Sequence, residues 1–488
     1  MRAGRRLLRL VVLIGVFAAM PAVALAVGWG SAVNVTGIPN TSDFVFAVPY
    51  SVSCASASSC AVGGYYENDD ISGYPVLLQA FVADERVVGG VPHWGAATLL
   101  NGDRVSSVSC ASAGNCAAGG FYTDSSGIDQ AFVVDEVNGS WKPRIQVAGT
   151  ASVGSSGPLN IGADVTSVSC PSVGHCAAGG YYTDSSGVRH AFVVDQTTAV
   201  VSPTWGWGAA HNLVGAPNGS LSSVSCASAG NCAAGGDHIS SSGKEQTFVA
   251  DEVNGSWKPA IHVSGTTSFG NYTSFGADVT SVSCPSAGHC AAGGYYTDSN
   301  AIVHAFVVNQ TTTLVSPTWG WGAAHNVLGA TAGLVSSISC GSVNYCVAGG
   351  SYYLGANPHA FVVDSQPVSG VPTWGADHEL AASYNPGLGH NAAVVSVSCA
   401  AVNECVAGGT YIDTGNRSQP FVANLSGAAW SSAVHVPGIT LLNPGRYPGV
   451  NSSGYGDMDA VSCPSTSVTT AKCAVAGDYP GGAFVTKP

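Results

Sequence analysis

SVSCPSAGHCAAGGYYTDS, Ser281 to Ser299, sets the architecture, because close copies of it recur throughout the 488 residues of the chain. The copies are anchored by cysteine pairs at Cys54/Cys60, Cys110/Cys116, Cys170/Cys176, Cys226/Cys232, Cys284/Cys290, Cys340/Cys346, Cys399/Cys405 and Cys463/Cys473. Eight units use all 16 cysteines, seven as C-x5-C and the last as C-x9-C, with successive anchors 56 to 64 residues apart. A fixed period of this size marks a repeat architecture whose units must stack to bury a core.

Each unit reads as β. Val165 to Cys170 alternates as a first strand, and Cys176 to Thr183, CAAGGYYT, forms a second whose small residues allow close approach of a neighbouring sheet. His190 to Asp195, HAFVVD, makes a third, and Trp207 to Val214 a fourth. In two units the third and fourth strands meet through Asn138-Gly139 and Asn254-Gly255, a dipeptide favoured in two-residue hairpins. Four antiparallel strands per unit, repeated radially, build a β-propeller blade.

Tryptophans show how the ring closes. Trp94, Trp141, Trp207, Trp257, Trp321, Trp374 and Trp430 mark fourth strands after units one to seven, but unit eight has only three strands before Pro488. Its fourth strand lies at the other end, where Trp29 opens WGSAVNVTG, a match to WSSAVHVPG at Trp430. The expected fold is therefore an all-β, eight-bladed propeller in which an N-terminal strand completes the C-terminal blade and leaves no exposed sheet edge. Units two and three resemble units four and five, and VSPTWGWGAAHN occurs at both Val201 and Val315, so a two-blade block has been copied.

Met1 to Arg9 is basic, Leu10 to Ala26 is apolar and small, and Ala24-Leu25-Ala26 suits a cleavage site, so residues 1–26 read as a secretory signal peptide. Arg5-Arg6 also admits a twin-arginine route. Export places the cysteines where disulfides persist, and the even count reads as a disulfide framework, each pair closing its own first-to-second-strand hairpin. Zinc sites would call for C-x2-C pairs with matched histidines, which the chain lacks. Removing the signal's four arginines from 15 basic and 28 acidic residues leaves an excess of 17 negative charges, which argues against nucleic acid as a partner. No later run is long and apolar enough for a bilayer. The expectation is a secreted, monomeric protein with one repeat-built domain over residues 27–488.

The chain resembles the secreted bacterial β-propeller repeat proteins that carry an SVSC-P-S-x3-C motif in each blade, over essentially its whole mature length. The resemblance implies the architecture and little about activity, since this fold hosts lectins, hydrolases, lyases and scaffolds alike. The sialidase-type S-x-D-x-G-x-T-W box, the G-x-S-x-G elbow, H-E-x-x-H and the EF-hand loop are absent.

Residues found in every blade are expected to be structural. Asp84, Asp135, Asp195, Asp251 and Asp364, with Asn309 and Asn424, end third strands and read as turn caps. Gln79, Gln130, His190, Gln246, His304, His359 and Gln419 precede the third strand's aromatic segment, and the His/Gln exchange suggests a shared hydrogen bond to backbone. Asp124, Asp184, Asp298 and Asp413 sit in polar turns, and unit one concentrates Glu67, Asn68, Asp69 and Asp70 in the same turn, where a cation site competes with a solvated loop. His93, His211, His238, His325 and His378 lack an evident acid or nucleophile partner.

Aromatic pairs are the functional candidates. Tyr65-Tyr66, Phe121-Tyr122, Tyr181-Tyr182, Tyr295-Tyr296 and Tyr352-Tyr353, with Tyr411, fall where the second strand enters its outgoing turn. That turn shares a face with the long interblade connections, Gly149 to Asp164, Gly265 to Asp278 and Leu441 to Asp459. Tyr66, Tyr122, Tyr182 and Tyr296 are expected to stack sugar rings, each weakly, with avidity from several blades. The expected function is a non-catalytic module that recognises a glycan or an extracellular protein through this face, with no catalytic residue, metal or cofactor. A polysaccharide lyase or glycoside hydrolase, with carboxylates or His and Tyr drawn from several blades, and a structural scaffold are the alternatives.

Overall fold

The computed structural model describes residues 28–38, 45–68, 77–151, 162–201, 204–266, 276–315, 318–329, 331–355, 357–368, 371–380, 391–427, 429–442, 456–464, 472–479 and 482–488. Residues 1–26, expected from the sequence to be a signal peptide, Asp69 and Asp70 of the first unit, and most of the long connections lie outside these residues. The chain forms eight antiparallel sheets, one per unit. The first strand of each sheet contacts the first strand of the next, from Val45–Ser56 through to Asp457–Ser462 and back, so first strands are innermost and the sheets are blades of a closed propeller. Blade two shows the plan: Arg104–Ser112, Asn115–Thr123, Asp129–Asp135 and Ile145–Gln146, paired in that order.

Every fourth strand begins four residues after a tryptophan and takes the same register. Thr98 faces Val82, Ile145 faces Val133, His211 faces Val193, and the pattern repeats to Val434 facing Val422. In the eighth blade, Val33 faces Val485, so the N-terminal strand Val33–Asn34 completes the sheet of Asp457–Ser462, Ala474–Tyr479 and Gly482–Thr486. Trp29 and Val35 are buried beside it.

The core is divided into eight clusters, each between two adjacent blades. The third-strand phenylalanines, such as Phe132 and Phe306, fill them and are wholly enclosed. The paired glycines of the second strand make this closeness possible. A Cβ on Gly119 would overlap Val165 of the next blade, and one on Gly120 would overlap the Arg104 carbonyl oxygen.

All eight cysteine pairs are disulfides within their own blade, closing the first hairpin at one end of the ring. The pairing is as the spacing predicts, but the bridges do more than staple a surface hairpin. The second-strand sulfurs point into the joints between blades, where Cys60, Cys232, Cys290, Cys346, Cys405 and Cys473 are at most 5% exposed and belong to the interblade cores. A buried half-cystine packs as a small hydrophobe, so each bridge contributes apolar contact as well as a cross-link.

The repeated SVSC has a second role that its cysteines conceal. Ser51 Oγ accepts a hydrogen bond from the Val108 amide and Ser53 Oγ from the Cys110 amide, both at 3.0 Å, across the joint between blades one and two. The same two bonds recur at each joint through to blade eight. From blade eight back to blade one, Ser462 serves the Cys54 amide at 2.9 Å, but Ala460 stands where the other serine would be. Ser283→Ala should strand the Cys340 amide and cost about 1–3 kcal/mol, read as a lower urea midpoint, while Ala460→Ser should raise that midpoint. An unchanged midpoint for Ser283→Ala would show that the hydroxyls do not hold the joints.

Two structural expectations are corrected. The aspartates ending the third strands of blades one to four clasp the next blade, whereas Asp364 of blade six accepts from Gln366 of its own hairpin, in keeping with a local role. Trp141 Nε1 donates to Asp84 at 2.9 Å, Trp207 to Asp135 at 3.1 Å, Trp257 to Asp195 at 2.9 Å and Trp321 to Asp251 at 3.1 Å. The His/Gln residues before the third-strand aromatic bond mainly to carboxylates. His190 meets Asp184 at 2.9 Å, His304 meets Asp298 at 3.1 Å, and Gln130 and Gln419 donate to Asp124 and Asp413. Gln79 does follow the backbone expectation, donating to the carbonyls of Leu100 and Gly102. The turn aspartates order their turns: Asp184 Oδ1 accepts from the Ser186 and Val188 amides.

Candidate binding site at the axial mouth

Because first strands are innermost, their leading residues and the second-strand residues opposite them lie at one level on the long-loop face. The eight register pairs are Val48/Tyr65, Arg104/Phe121, Asp164/Tyr181, Ser220/Asp237, Asp278/Tyr295, Leu334/Ser351, Ala393/Thr410 and Asp457/Asp478. Each is followed by a bulge in the first strand, which adds Tyr50, Ser106, Thr166, Ser222 or Asp459 to the same rim. The level is uneven. Aromatic and charged residues occupy blades eight and one to five, whereas blades six and seven contribute Leu, Ser, Ala and Thr.

Three clusters make up the polar sector. At blades two and three, Arg104 Nη2 donates to Asp164 Oδ2 at 2.5 Å and Arg104 Nε to Ser106 Oγ at 3.1 Å, while Ser106 Oγ donates to Asp164 at 3.2 Å. The guanidinium lies 4.7 Å from the Phe121 ring centre and 5.2 Å from that of Tyr50, which stacks on Tyr65 at 5.7 Å. At blades four and five, Ser222 Oγ donates to Asp278 at 3.0 Å and Ser220 Oγ to Asp237 at 2.9 Å. Glu245 adds a third carboxyl that is hydrogen-bonded to Asp237. Burial, reinforced by Glu245, pushes Asp237 up to about 7. Burial and the neighbouring Asp237 raise Asp278 well above the usual carboxylate range. At blade eight, burial and Asp457 push Asp478 up to about 7, and burial also raises Asp459, whose Oδ2 is sealed from solvent without a hydrogen-bond partner.

The tyrosines singled out in the sequence sit behind this rim. Tyr66 is only 6% exposed. Tyr122, Tyr182 and Tyr296 are half-buried against interblade clusters. Tyr182 stacks on His190 at 5.0 Å and Tyr296 on His304 at 5.2 Å, so one face of each ring is already covered. Their hydroxyls are engaged as well: Tyr122 donates to Gln146 at 3.1 Å, and Asn212 and Asn326 donate to Tyr182 and Tyr296 at 2.9 and 3.0 Å. It is the preceding residue of each pair, Tyr65, Phe121, Tyr181 or Tyr295, that belongs to the mouth.

The cysteines take no part in the mouth. Cys60, Cys232, Cys290 and Cys346, like Cys405 and Cys473, are oxidised and largely buried in the joints at the opposite end of the blades, where the first four back clefts between neighbouring blades. That cystine end carries a different chemistry. A cleft of about 450 Å³ between blades one and two is lined by Asp84, Arg86 and Glu136, and burial beside Asp84 pushes Glu136 up to about 7. Glu252 is pushed to about 7 by burial and Asp195 in the corresponding joint of the copied block. Together with Asp237 and Asp478, these groups bind protons more tightly folded than unfolded, so folding takes up protons between the two ranges and stability falls as pH rises from about 4 to about 7. The turn aspartates act in the opposite sense: Asp298 is held at about 2 by backbone amides and His304, and its contribution disappears only in stronger acid. Thermal melts should therefore peak near pH 4 to 5; a maximum above pH 7 would contradict this.

No family model and no curated protein matches the sequence. Among solved structures, Sqt1 from Chaetomium thermophilum aligns with a TM-score of 0.51 at 12% identity, over 93% of this chain and 97% of that one. Sqt1 bound to the N-terminus of the ribosomal protein L10 aligns with a TM-score of 0.50, also at 12% identity, over 93% and 99%. An ulvan lyase described as a new family of polysaccharide lyase aligns with a TM-score of 0.42 at 8% identity, over 76% and 89%. The Sqt1 likeness shows the propeller fold alone.

Proposed function

We propose that this propeller is an extracellular binding module that seats a carbohydrate at the axial mouth of its long-loop face. The observation that carries this reading is the sector of Tyr50, Tyr65, Phe121, Tyr181 and Tyr295 interleaved, at one level, with the carboxylates of Asp164, Asp237, Asp278 and Asp478. Sugars present apolar CH faces and rings of hydroxyl groups; aromatic walls beside a few fixed acceptors answer both. Eight disulfides, and no helix among the described residues long and apolar enough to cross a membrane, fit a site outside the cell. The test is titration with a panel of polysaccharides and oligosaccharides. Tyr181→Ala with Tyr295→Ala should weaken binding at least tenfold, about 1.4 kcal/mol, while Tyr353→Ala, exposed in the sixth blade, should not. Circular dichroism melts separate lost binding from lost folding. A folded double variant with full affinity overturns the reading, as does a protein that binds only peptides.

One observation favours a second reading, glycoside cleavage. The carboxyl pair Asp237 and Glu245 is hydrogen-bonded, and Asp237 is pushed up to about 7, a range suited to a general acid. If the module is hydrolytic, prolonged incubation should release reducing ends from the bound polysaccharide, and Glu245→Gln should stop the release in a chain that circular dichroism shows to be folded.

A further inference from the structure

The copied two-blade block lets one half of the mouth be compared with the other. Arg104, Ser106, Phe121, Asp129 and Asp164 of blades two and three correspond to Ser220, Ser222, Asp237, Glu245 and Asp278 of blades four and five. The backbone register is the same: Arg104 opposes Phe121 as Ser220 opposes Asp237, and Asp164 opposes Tyr181 as Asp278 opposes Tyr295. The acceptor pair is also kept, since Ser106 Oγ meets Asp164 at 3.2 Å and Ser222 Oγ meets Asp278 at 3.0 Å. In the first copy that pair holds a cation, the Arg104 guanidinium. In the second copy the arginine is a serine and Asp237 has replaced the phenylalanine, while Glu245 keeps the acid that Asp129 supplies in the first.

The second copy thus keeps the cation's acceptors, loses the arginine and adds one carboxyl, Asp237, at the same level, a crowded set of acids that a cation would relieve. Its nearest base, Arg189, donates to Ser220 Oγ at 3.3 Å and lies 4.8 Å from the Tyr181 ring centre; its charge favours the ionised forms of Asp237 and Glu245, but among the described residues it makes no direct ion pair with Asp237, Glu245 or Asp278. Among the described residues, no group of three acidic, histidine or cysteine side chains converges tightly enough for a metal ion. Hydroxyl acceptors, carboxylates and a nearby ring suit an organic cation instead.

We propose that Ser222, Asp237, Glu245 and Asp278 form a receptor for the ammonium group of an amino sugar, which takes the place that the Arg104 guanidinium occupies in the sister block. This rests on the carbohydrate reading of the mouth and selects within it: glycans with free amines are preferred to N-acetylated or neutral ones.

The experiment compares three β-1,4-linked hexamers, of glucosamine, N-acetylglucosamine and glucose, by isothermal titration against the full chain, Ser220→Arg and Asp278→Asn. The parent should bind the glucosamine hexamer about tenfold or more tightly than the other two. Ser220→Arg restores the sister block's own cation, so it should fold with an equal or higher melting temperature and bind all three hexamers alike. Asp278→Asn should also lose the preference. Equal affinities in the parent, or a preference that survives in a folded Ser220→Arg, overturns the proposal while leaving carbohydrate binding intact. If no hexamer binds, the carbohydrate reading is what fails for these sugars. The ammonium receptor then stands or falls on whether glucosamine hydrochloride, and not N-acetylglucosamine, raises the melting temperature of the parent but not of Ser220→Arg.

Discussion

Reduction of the eight cystines is expected to unfold the ring under conditions in which the oxidised chain stays native. Seven of the bridges close loops with a sequence separation of 6 and the eighth one of 10, and each contributes about 2 kcal/mol by loop entropy. Summed over eight blades, this matches or exceeds the net stability of roughly 5–15 kcal/mol typical of folded domains. The half-cystines are largely buried, Cys473 and Cys405 entirely and Cys232, Cys290 and Cys346 nearly so, which means that dithiothreitol alone should act slowly and mild urea should accelerate it. The check is a urea titration followed by tryptophan fluorescence with and without reductant. A midpoint that does not move would show that blade packing and the serine bonds suffice. Peptide mapping without reduction should recover only the eight intra-blade pairs.

Removing the closing strand is expected to be nearly as damaging. A chain that starts at Val45 loses the pairing of Val33–Asn34 with Val485 and Phe484, the bond from the Val35 amide to Ala483, and the bond from the Thr486 hydroxyl to the Gly30 carbonyl. It also loses buried Trp29, Ala32 and Val35, which join the eighth blade to the seventh and first. With roughly 1.5–3 kcal/mol for each large apolar side chain, the loss is on the order of 5 kcal/mol. Gly482–Thr486 would become an open edge ready to pair with another molecule. The truncated chain should melt on the order of 10 °C lower and run as dimers or larger species in size-exclusion chromatography. A synthetic peptide of residues 28–38 should restore the elution position of the full chain. A monomeric truncated chain with an unchanged melting temperature would refute the role assigned to this strand.

The architecture was legible because the repeat is covalent and periodic. Cysteine spacing marks the first hairpin of every blade, and the constant offset from tryptophan to fourth strand makes Trp29 interpretable although its partners are more than 450 residues away. Spacing could pair Cys226 with Cys232 but could not say that Cys232 would lie inside a joint, because the burying atoms come from the neighbouring blade. The mouth was legible only in outline. In Tyr181-Tyr182 or Tyr295-Tyr296 both members are aromatic, so strand alternation says that one packs inward without saying which, and the sugar contacts expected of Tyr182 and Tyr296 fell on the rings that His190 and His304 cover. Arg104 and Asp164 meet across a joint and 60 residues apart, a distance no local pattern spans. A signal was nevertheless present: aligning RVSSVSC with SLSSVSC would have exposed the Arg104-to-Ser220 exchange inside an otherwise preserved copy. The serines of SVSC carry no signal of their own in the sequence, because the neighbouring cysteines already account for the motif.

Those serine bonds all point the same way round. Every blade offers hydroxyl acceptors on one flank and amide donors on the other, so a blade has a head and a tail, and any tail can receive any head. The ring is thus a cyclic polymer of interchangeable joints, and a gene segment encoding two blades can be spliced in without a new interface being invented. One copy can keep its internal arginine while the other gives up that position, free to become a receptor without loosening the circle that holds it.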